Sequence, residues 1–128
     1  MLKTIALLTA VPLAAAAIVV PAQAAQADRG DRQKNGACGA GTYELQVERE
    51  DGGFDVAVDL DRLAPGSTWK VVLRHDGKRV AKVTRTADED GDVELDAWRR
   101  NTAGSDTFTF RATPVGGGQG CSASIRVG

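Results

Sequence analysis

Residues 67–86 decide the fold and read Ser-Thr-Trp-Lys-Val-Val-Leu-Arg-His-Asp-Gly-Lys-Arg-Val-Ala-Lys-Val-Thr-Arg-Thr. Two runs rich in β-branched residues flank the dipeptide Asp76-Gly77. This arrangement is one of the strongest short-range signals of a β-hairpin, because glycine adopts positive φ without steric cost. Trp69 is the largest apolar side chain of the stretch, so we expect it to anchor the core.

The register of this hairpin is left open by the sequence. A two-residue turn would place Trp69 opposite Thr84, whereas a three-residue turn with Gly77 as a bulge would place it opposite Val83. We favour the three-residue turn, because it pairs more apolar side chains on the face of the strand that carries Trp69.

The same two-residue period recurs along the rest of the chain. Apolar and polar residues alternate in residues 43–47, 54–60, 93–97, 108–112 and 121–127. Turn signals rich in Gly, Asp and Pro separate these runs, and no helical stripe accompanies them. The pattern predicts an all-β, seven-strand antiparallel sandwich over residues 42–128, immunoglobulin-like or fibronectin-III-like, with one dry and one wet face on each sheet.

The N-terminal segment has the pattern of a secretory signal peptide. Lys3 is followed by an uncharged, mostly apolar run that Pro21 ends, and cleavage is expected after Ala24 or Ala27. The run is at the lower length limit for spanning a bilayer, so we expect no membrane insertion after cleavage. Residues 28–41 are polar and Gly-rich and are predicted to form a flexible N-terminal arm.

The two cysteines, Cys38 and Cys121, lie near opposite ends of the mature chain. In an exported protein the default expectation is a disulfide bond between them. Closing a loop of this length would stabilise the fold by about 4–5 kcal/mol in the chain-entropy model. We therefore predict a secreted, extracellular domain with one disulfide.

A resemblance to a known group covers nearly all of the mature chain. Four segments carry it, Ala-Cys-Gly-x-Gly-Thr-Tyr-x-Leu-x-Val from residue 37, Leu-x-Pro-Gly-Ser-x-Trp-x-Val-x-Leu-x-His-Asp-Gly from residue 63, Ala-Gly-Ser-Asp-Thr-Phe-x-Phe-Arg-Ala-Thr from residue 103, and Cys-Ser-Ala-Ser-Ile-x-Val from residue 121. They are similar to small secreted actinobacterial proteins of uncharacterised function. The resemblance implies a secreted β-sandwich and assigns no activity.

No constellation of residues predicts catalysis or a cofactor. His75 is the single histidine; we expect it to be a solvated residue of the hairpin turn, without the nucleophile and orienting acid that a triad needs. The carboxylates Asp55, Asp59, Glu94 and Asp96 alternate with apolar residues, as on the wet face of a strand. With one histidine and one disulfide, no transition-metal site can be assembled from the usual ligands.

The acidic turn of Asp88, Glu89, Asp90, Gly91 and Asp92 could be a calcium loop or a solvated turn. An EF-hand that starts at Asp88 would need Gly at its sixth position and Glu at its twelfth, where Val93 and Arg99 stand. An irregular Ca²⁺ site stays open, and a polar turn is the simpler interpretation.

Charge order is the most informative feature of the sequence. Residues 70–85 hold six basic residues and one acid, and residues 88–96 hold six acids and no base. A fibronectin-like topology would place these segments in different sheets, which predicts an electrically two-faced domain. Without Lys3 the chain keeps 15 basic and 17 acidic residues, so we expect it to bind no nucleic acid.

Trp98, Arg99 and Arg100 follow the fifth predicted strand. If Ala97 points inward, Trp98 points outward, where it either forms a contact patch with the two arginines or covers the open end of the sandwich.

These features predict a secreted, monomeric, non-enzymatic binding or interaction module, whose partner is a protein or a cell-wall component. Two alternatives remain. One is a secreted protease or glycosidase inhibitor that presents a loop at residues 76–78 or 115–119, and the other is a small structural protein of the cell envelope.

Overall fold

The computed structural model describes residues 32–128 as an all-β domain of eight strands. The strands are β1 (Arg32–Cys38), β2 (Gly41–Glu50), β3 (Gly53–Asp61), β4 (Thr68–His75), β5 (Lys78–Thr86), β6 (Val93–Arg100), β7 (Asp106–Pro114) and β8 (Cys121–Val127). The predicted signal peptide and residues 28–31 of the predicted arm lie outside the described residues. In residues 32–128 there is no helix of the length and apolarity needed to cross a membrane.

The strands form two antiparallel four-stranded sheets. Sheet A has the order β1-β2-β3-β6, and sheet B has the order β5-β4-β7-β8. The basic β4-β5 hairpin and the acidic strand β6 therefore belong to different sheets, as predicted from the order of charges in the sequence. The predicted antiparallel sandwich is confirmed.

The prediction of a flexible arm is wrong for Arg32–Cys38, because these residues form β1. This strand is at the edge of sheet A and pairs only with β2, with Lys34 opposite Leu45 and Cys38 opposite Gly41. β1 is ordered by its hairpin with β2, in which only Gly39 and Ala40 separate the two strands, and its polar residues do not show the alternation that predicted the other strands. The sandwich consequently has eight strands where seven were predicted.

The predicted disulfide bond between Cys38 and Cys121 is confirmed, with 4.8 Å between the two Cα atoms. It joins the end of β1 in sheet A to the start of β8 in sheet B. The bond is thus a covalent link between the two layers as well as between the two ends of the described chain.

The core is formed by the inward residues of both sheets. Phe54 of sheet A packs edge-on against Phe108 of sheet B, with 5.5 Å between ring centroids. Trp69 is only 5% exposed, so its predicted role as a core anchor is confirmed, and its Nε1 donates to Ser67 Oγ at 3.0 Å. Burying large apolar side chains of this kind stabilises a fold by about 1.5–3 kcal/mol each.

The register of the central hairpin differs from both sequence-based expectations. His75 pairs with Lys78 across a two-residue turn, yet a bulge between Leu73 and Arg74 shifts the pairing, so that Trp69 lies opposite Arg85. Asp76 and Gly77 have φ values of 52° and 85°, as the primed turns of hairpins require. The bulge inserts one residue into the partner strand, a feature that alternation alone does not show.

Candidate functional site: two oppositely charged faces

The outer face of sheet B is basic. Cross-strand pairing places one set of cationic side chains on it, Lys70 and Arg74 of β4, Arg79 and Lys82 of β5, Arg111 of β7 and Arg126 of β8. We call this set the basic face. The other outward strand positions carry hydroxyl side chains, with the exception of Val72, and none of them is a carboxylate.

Val72 lies at the centre of a ring of four cations. Lys82 and Arg111 are its direct partners on the two neighbouring strands, and Lys70 and Arg74 precede and follow it by two residues on its own strand. Direct cross-strand neighbours have Cβ atoms about 4.5–5.5 Å apart, and neighbours on the same face of one strand are about 7 Å apart. The ring can therefore surround one anionic group or contact two adjacent ones.

A groove of roughly 620 Å³ lies over Val72 and three of the four cations, and Lys82 lies outside its lining. Its lining residues are Lys70, Val72, Arg74, Thr109, Phe110, Arg111, Thr113 and Ser122. Arg and Lys supply charged donors, Thr and Ser supply donors and acceptors, and Val72 supplies an apolar floor. This combination fits a ligand that bears anionic groups and hydroxyl groups together.

The basic face has no internal neutralisation. Arg74 lies directly opposite Arg79, and no strand position on this face within residues 32–128 carries a carboxylate. Like charges directly opposite each other destabilise a sheet. Opposite charge from a partner would remove this repulsion.

The outer face of sheet A is acidic. Its outward carboxylates are Glu44, Glu48 and Glu50 of β2, Asp55, Asp59 and Asp61 of β3, and Glu94 and Asp96 of β6, a set that we call the acidic face. Arg100, opposite Gly53, is a cation at one end of this face. The predicted wet strand face of Asp55, Asp59, Glu94 and Asp96 is part of it. The predicted two-faced charge distribution is therefore confirmed.

Asp59 lies at the middle of the acidic face, directly between Glu44 and Glu94. Partial burial, followed by the charges of Glu94, Glu44, Asp96 and Asp61, raises the pKa of Asp59 to about 6. The raised pKa means that this face resists carrying its full negative charge.

The acidic turn continues the negative region next to β6. Asp88 Oδ1 accepts the backbone N–H groups of Asp90 and Asp92, each at 2.9 Å, which is ordinary turn chemistry. A hydrogen bond with the Asp61 carboxyl is the first cause that raises the pKa of Asp92. Ligand atoms of Asp88, Asp90 and Asp92 lie within 4.8 Å of one another, so the calcium interpretation stays a prediction, without a further feature in its favour.

Trp98 points outward at one end of the acidic face, opposite Asp55, and is 46% exposed. Its Nε1 donates to the Glu50 carbonyl at 3.0 Å, and its ring lies over Gly53, where an added Cβ would be 2.5 Å from a ring carbon. Trp98 therefore both covers the β2-β3 turn and remains accessible. Arg99 points toward His75, so the predicted patch of one Trp and two adjacent Arg does not form as a unit.

The prediction that His75 is a solvated turn residue is wrong. Its side chain is 5% exposed and stacks on Phe108 at 4.4 Å between centroids. Nε2 lies 2.7 Å from Oδ1 of the fully buried Asp106, which also accepts the Thr102 hydroxyl at 2.6 Å. The signal was present in the sequence, because His75 continues the inward phase of Trp69, Val71 and Leu73.

Asp106 is charged in the interior because donors surround one of its oxygens. Burial raises the pKa of Asp106, but the hydrogen bonds from Thr102 and His75 outweigh burial and lower it overall. Oδ2 is buried and has no hydrogen-bond partner in residues 32–128. The pair holds the tip of the β4-β5 hairpin against the start of β7.

His75, Asp76 and Asp106 also bring three potential metal ligands within 4.8 Å of one another, but the surroundings fit a metal poorly. Arg99 Nε donates to His75 Nδ1 at 3.5 Å, which favours the tautomer with its proton on Nε2. A metal on Nε2 would need Nδ1 to carry and donate that proton, and the Arg99 cation would repel the ion. The cluster is better explained as a buried hydrogen-bond network.

The two loops proposed for an inhibitor lie at opposite ends of sheet B. The tip at Asp76 is braced, because Asp76 Oδ1 accepts Thr107 N–H at 2.8 Å and Asp76 N–H donates to the Thr107 carbonyl. In the other loop Val115 is 59% exposed. The basic residues thus form one surface between these loops.

Comparisons with protein-family models, with curated proteins and with solved structures find no match to this chain. The fold and the site define the chain as a two-sheet antiparallel β-sandwich with one basic and one acidic outer face.

Proposed function

We propose that this protein is a secreted, non-enzymatic binding module whose basic face binds an acidic polysaccharide of the cell envelope. The observation that carries the proposal is the ring of Lys70, Arg74, Lys82 and Arg111 around Val72. Three of these cations, Lys70, Arg74 and Arg111, line a groove that has no carboxylate among its lining residues.

The chemistry of the groove favours an acidic sugar polymer over a nucleic acid. Binding single-stranded nucleic acid typically uses exposed aromatic side chains as stacking platforms. Among residues 32–128 the exposed large hydrophobic side chains are Trp98, which lies on the acidic face, and Val115. The hydroxyl side chains Thr109, Thr113 and Ser122 complement sugar hydroxyls instead.

The negative net charge of the chain does not oppose this proposal. Attraction of a charged ligand is set by the local field of a surface, and this field weakens strongly with ionic strength. The basic face lies on the side of the sandwich opposite the carboxylates of sheet A. A polymer can therefore approach sheet B without meeting them.

The proposal has two further parts, that the protein is exported from the cell and that its sandwich is related to immunoglobulin-like or fibronectin-III-like domains. Export is supported by the N-terminal charge and apolarity pattern and by the disulfide bond, since such bonds persist in oxidising compartments. An immunoglobulin-like or fibronectin-III-like relationship is supported by the strand order, in which β2, β3 and β6 share one sheet and β5, β4, β7 and β8 share the other.

Polygalacturonate is a suitable probe, with uncharged dextran as its neutral counterpart. We expect calorimetry to show that the protein binds polygalacturonate at low salt, that binding weakens with added NaCl, and that the polymer is recovered with unchanged chain length. The double variant Arg74→Glu/Arg111→Glu should bind at least tenfold more weakly, because each substitution replaces attraction by repulsion in the groove.

The matched control is Lys78→Glu/Arg85→Glu, which makes the same change of net charge on β5 but at positions opposite His75 and Trp69, off the basic face. It should retain nearly all of the binding. Equal binding by the double variant and the wild type, or equal binding of dextran, would contradict the proposal.

A further inference from the structure

The acidic face has no assigned partner, although it is as extended as the basic face. Three of its carboxylates form a direct row across the strands, Glu44 opposite Asp59 and Asp59 opposite Glu94. The repulsion within this row contributes to the raised pKa of Asp59. A cationic partner would relieve it.

The basic face has a row of matching dimensions. Lys82, Val72 and Arg111 lie side by side across three neighbouring strands, as the three carboxylates do on sheet A. Because strands in any sheet are about 4.8 Å apart, the outer members of both rows are separated by about 10 Å. Two cations can therefore meet two carboxylates at the same spacing.

We propose that the acidic face of one copy binds the basic face of a second copy. Each face needs a partner that presents rigid opposite charges at the spacing of strands in a sheet. The opposite side of the same molecule presents such a surface. This proposal does not depend on polysaccharide binding, although both ligands would occupy the basic face and would compete for it. It departs from the monomer expected from the sequence.

The contact joins two different surfaces, so it is heterologous and leaves one free face at each end. Stacking can then continue beyond a dimer. Four strands and about seven residues per strand give a face of about 450 Å², or about 900 Å² buried in total, which is at the low end for protein interfaces. The association should therefore be weak, reversible and sensitive to salt.

Sedimentation velocity of the full mature chain at low ionic strength tests the proposal with two charge-reversed variants. Arg74→Glu/Arg111→Glu reverses charges on the basic face and keeps the acidic face intact. Glu94→Lys/Asp96→Lys reverses charges on the acidic face and keeps the basic face intact. All four residues are exposed, so the substitutions should not disturb the core. We expect the wild type to form species larger than a dimer as concentration rises, and each variant alone to remain monomeric.

The decisive sample is an equimolar mixture of the two variants. Each keeps one competent face, so the mixture should form a one-to-one dimer that cannot extend. Backbone amide shifts in this dimer should change on β3 and β6 of one variant and on β4 and β7 of the other. Arg85→Glu serves as the control and should associate like the wild type.

A wild type that stays monomeric at low salt would overturn the inference, and so would association that survives high salt or occurs equally in both variants. Shift changes outside the two faces in the mixed dimer would also overturn it. These outcomes leave polysaccharide binding untouched, because that is measured with the polymer and with a protein concentration at which no association is detected. Conversely, loss of polymer binding would not abolish stacking.

Discussion

The two sheets of this sandwich have the same architecture and opposite chemistry on their outer faces. Their inner faces are alike in composition, since each presents apolar side chains to the other, such as Phe54 of sheet A and Phe108 of sheet B. Their outer faces differ completely, with cations around Val72 on sheet B and carboxylates around Asp59 on sheet A. A nearly neutral composition can therefore conceal two strongly charged surfaces, and it is the order of the charges that separates them.

The largest expected effect comes from cutting the covalent link between the two sheets. Replacing both cysteines, Cys38→Ala/Cys121→Ala, should lower the free energy of unfolding by about 4 kcal/mol, because the unfolded chain is no longer closed into a long loop. Urea denaturation of the variant and of the oxidised wild type measures the difference. A loss below 1 kcal/mol would show that packing alone holds the two sheets together.

The next effect tests the buried pair that positions the hairpin of sheet B. Asp106→Ala should cost about 3 kcal/mol, because it leaves the buried His75 ring and the Thr102 hydroxyl without their acceptor. Asp90→Ala is the matched control, because it makes the same substitution at an exposed carboxylate. Equal destabilisation by both substitutions would contradict the assignment.

The same carboxylate gives a dependence on pH. Since the pKa of Asp106 is lowered on folding, its contribution to stability is present above the pKa of the unfolded chain and is lost as the pH falls through the folded pKa. The difference in stability between wild type and Asp106→Asn should therefore shrink on acidification. Denaturation curves across the acid range measure it, and a difference that grows on acidification would contradict the sign.

A smaller effect, of opposite sign, is expected on sheet A. The pKa of Asp59 is raised from 3.8 to about 6, so its contribution to stability is present at low pH and is lost as the pH rises through 6. Asp59→Asn should stabilise the domain by about 0.5–1 kcal/mol above pH 6 and have little effect below pH ~4. The stabilisation is modest because solvent screens this half-exposed group. Asp51→Asn, in the β2-β3 turn, is the control, and a benefit limited to low pH would refute the prediction.

The smallest effect concerns repulsion within the basic face. Arg79→Thr removes the like charge opposite Arg74 and should stabilise the domain by about 0.3 kcal/mol at low salt, less as salt is added. Thermal unfolding at two salt concentrations measures it. Lys78→Thr, which lies next to Arg79 but opposite His75, should give no such gain, and a gain that persists at high salt would rule out repulsion as the cause.

The sequence was sufficient wherever local alternation carried the information. It predicted the seven strands that contain apolar residues at every second position, the turn at Asp76-Gly77, the burial of Trp69 and the separation of charges between sheets. The disulfide followed from the default for exported proteins with two cysteines. The strands, the turn, the burial of Trp69 and the charge separation depend on local sequence pattern. The disulfide could be predicted because two cysteines allow a single pairing.

The remaining features depend on contacts that apolar-polar alternation along the chain does not encode. β1 is ordered by pairing with β2 and by the Cys38 bond, so its own polar residues do not predict it. The hairpin register depends on a bulge, which one extra residue creates without changing the composition. His75 is buried because Asp106, 31 residues later, supplies its acceptor. Both residues have the inward phase of their strands, but a polar side chain at such a position is buried only where the fold supplies its hydrogen-bond partner.

The placement of the two tryptophans allows intrinsic fluorescence to report both partner binding and unfolding. Trp69 is enclosed in the core, whereas Trp98 is 46% exposed at the end of the acidic face. Any partner that covers this end of sheet A changes the water around one indole and leaves the other in its apolar surroundings. A blue shift of the exposed component, together with slower quenching by iodide or acrylamide, would report occupancy of that face without a label, while exposure of Trp69 would report unfolding separately.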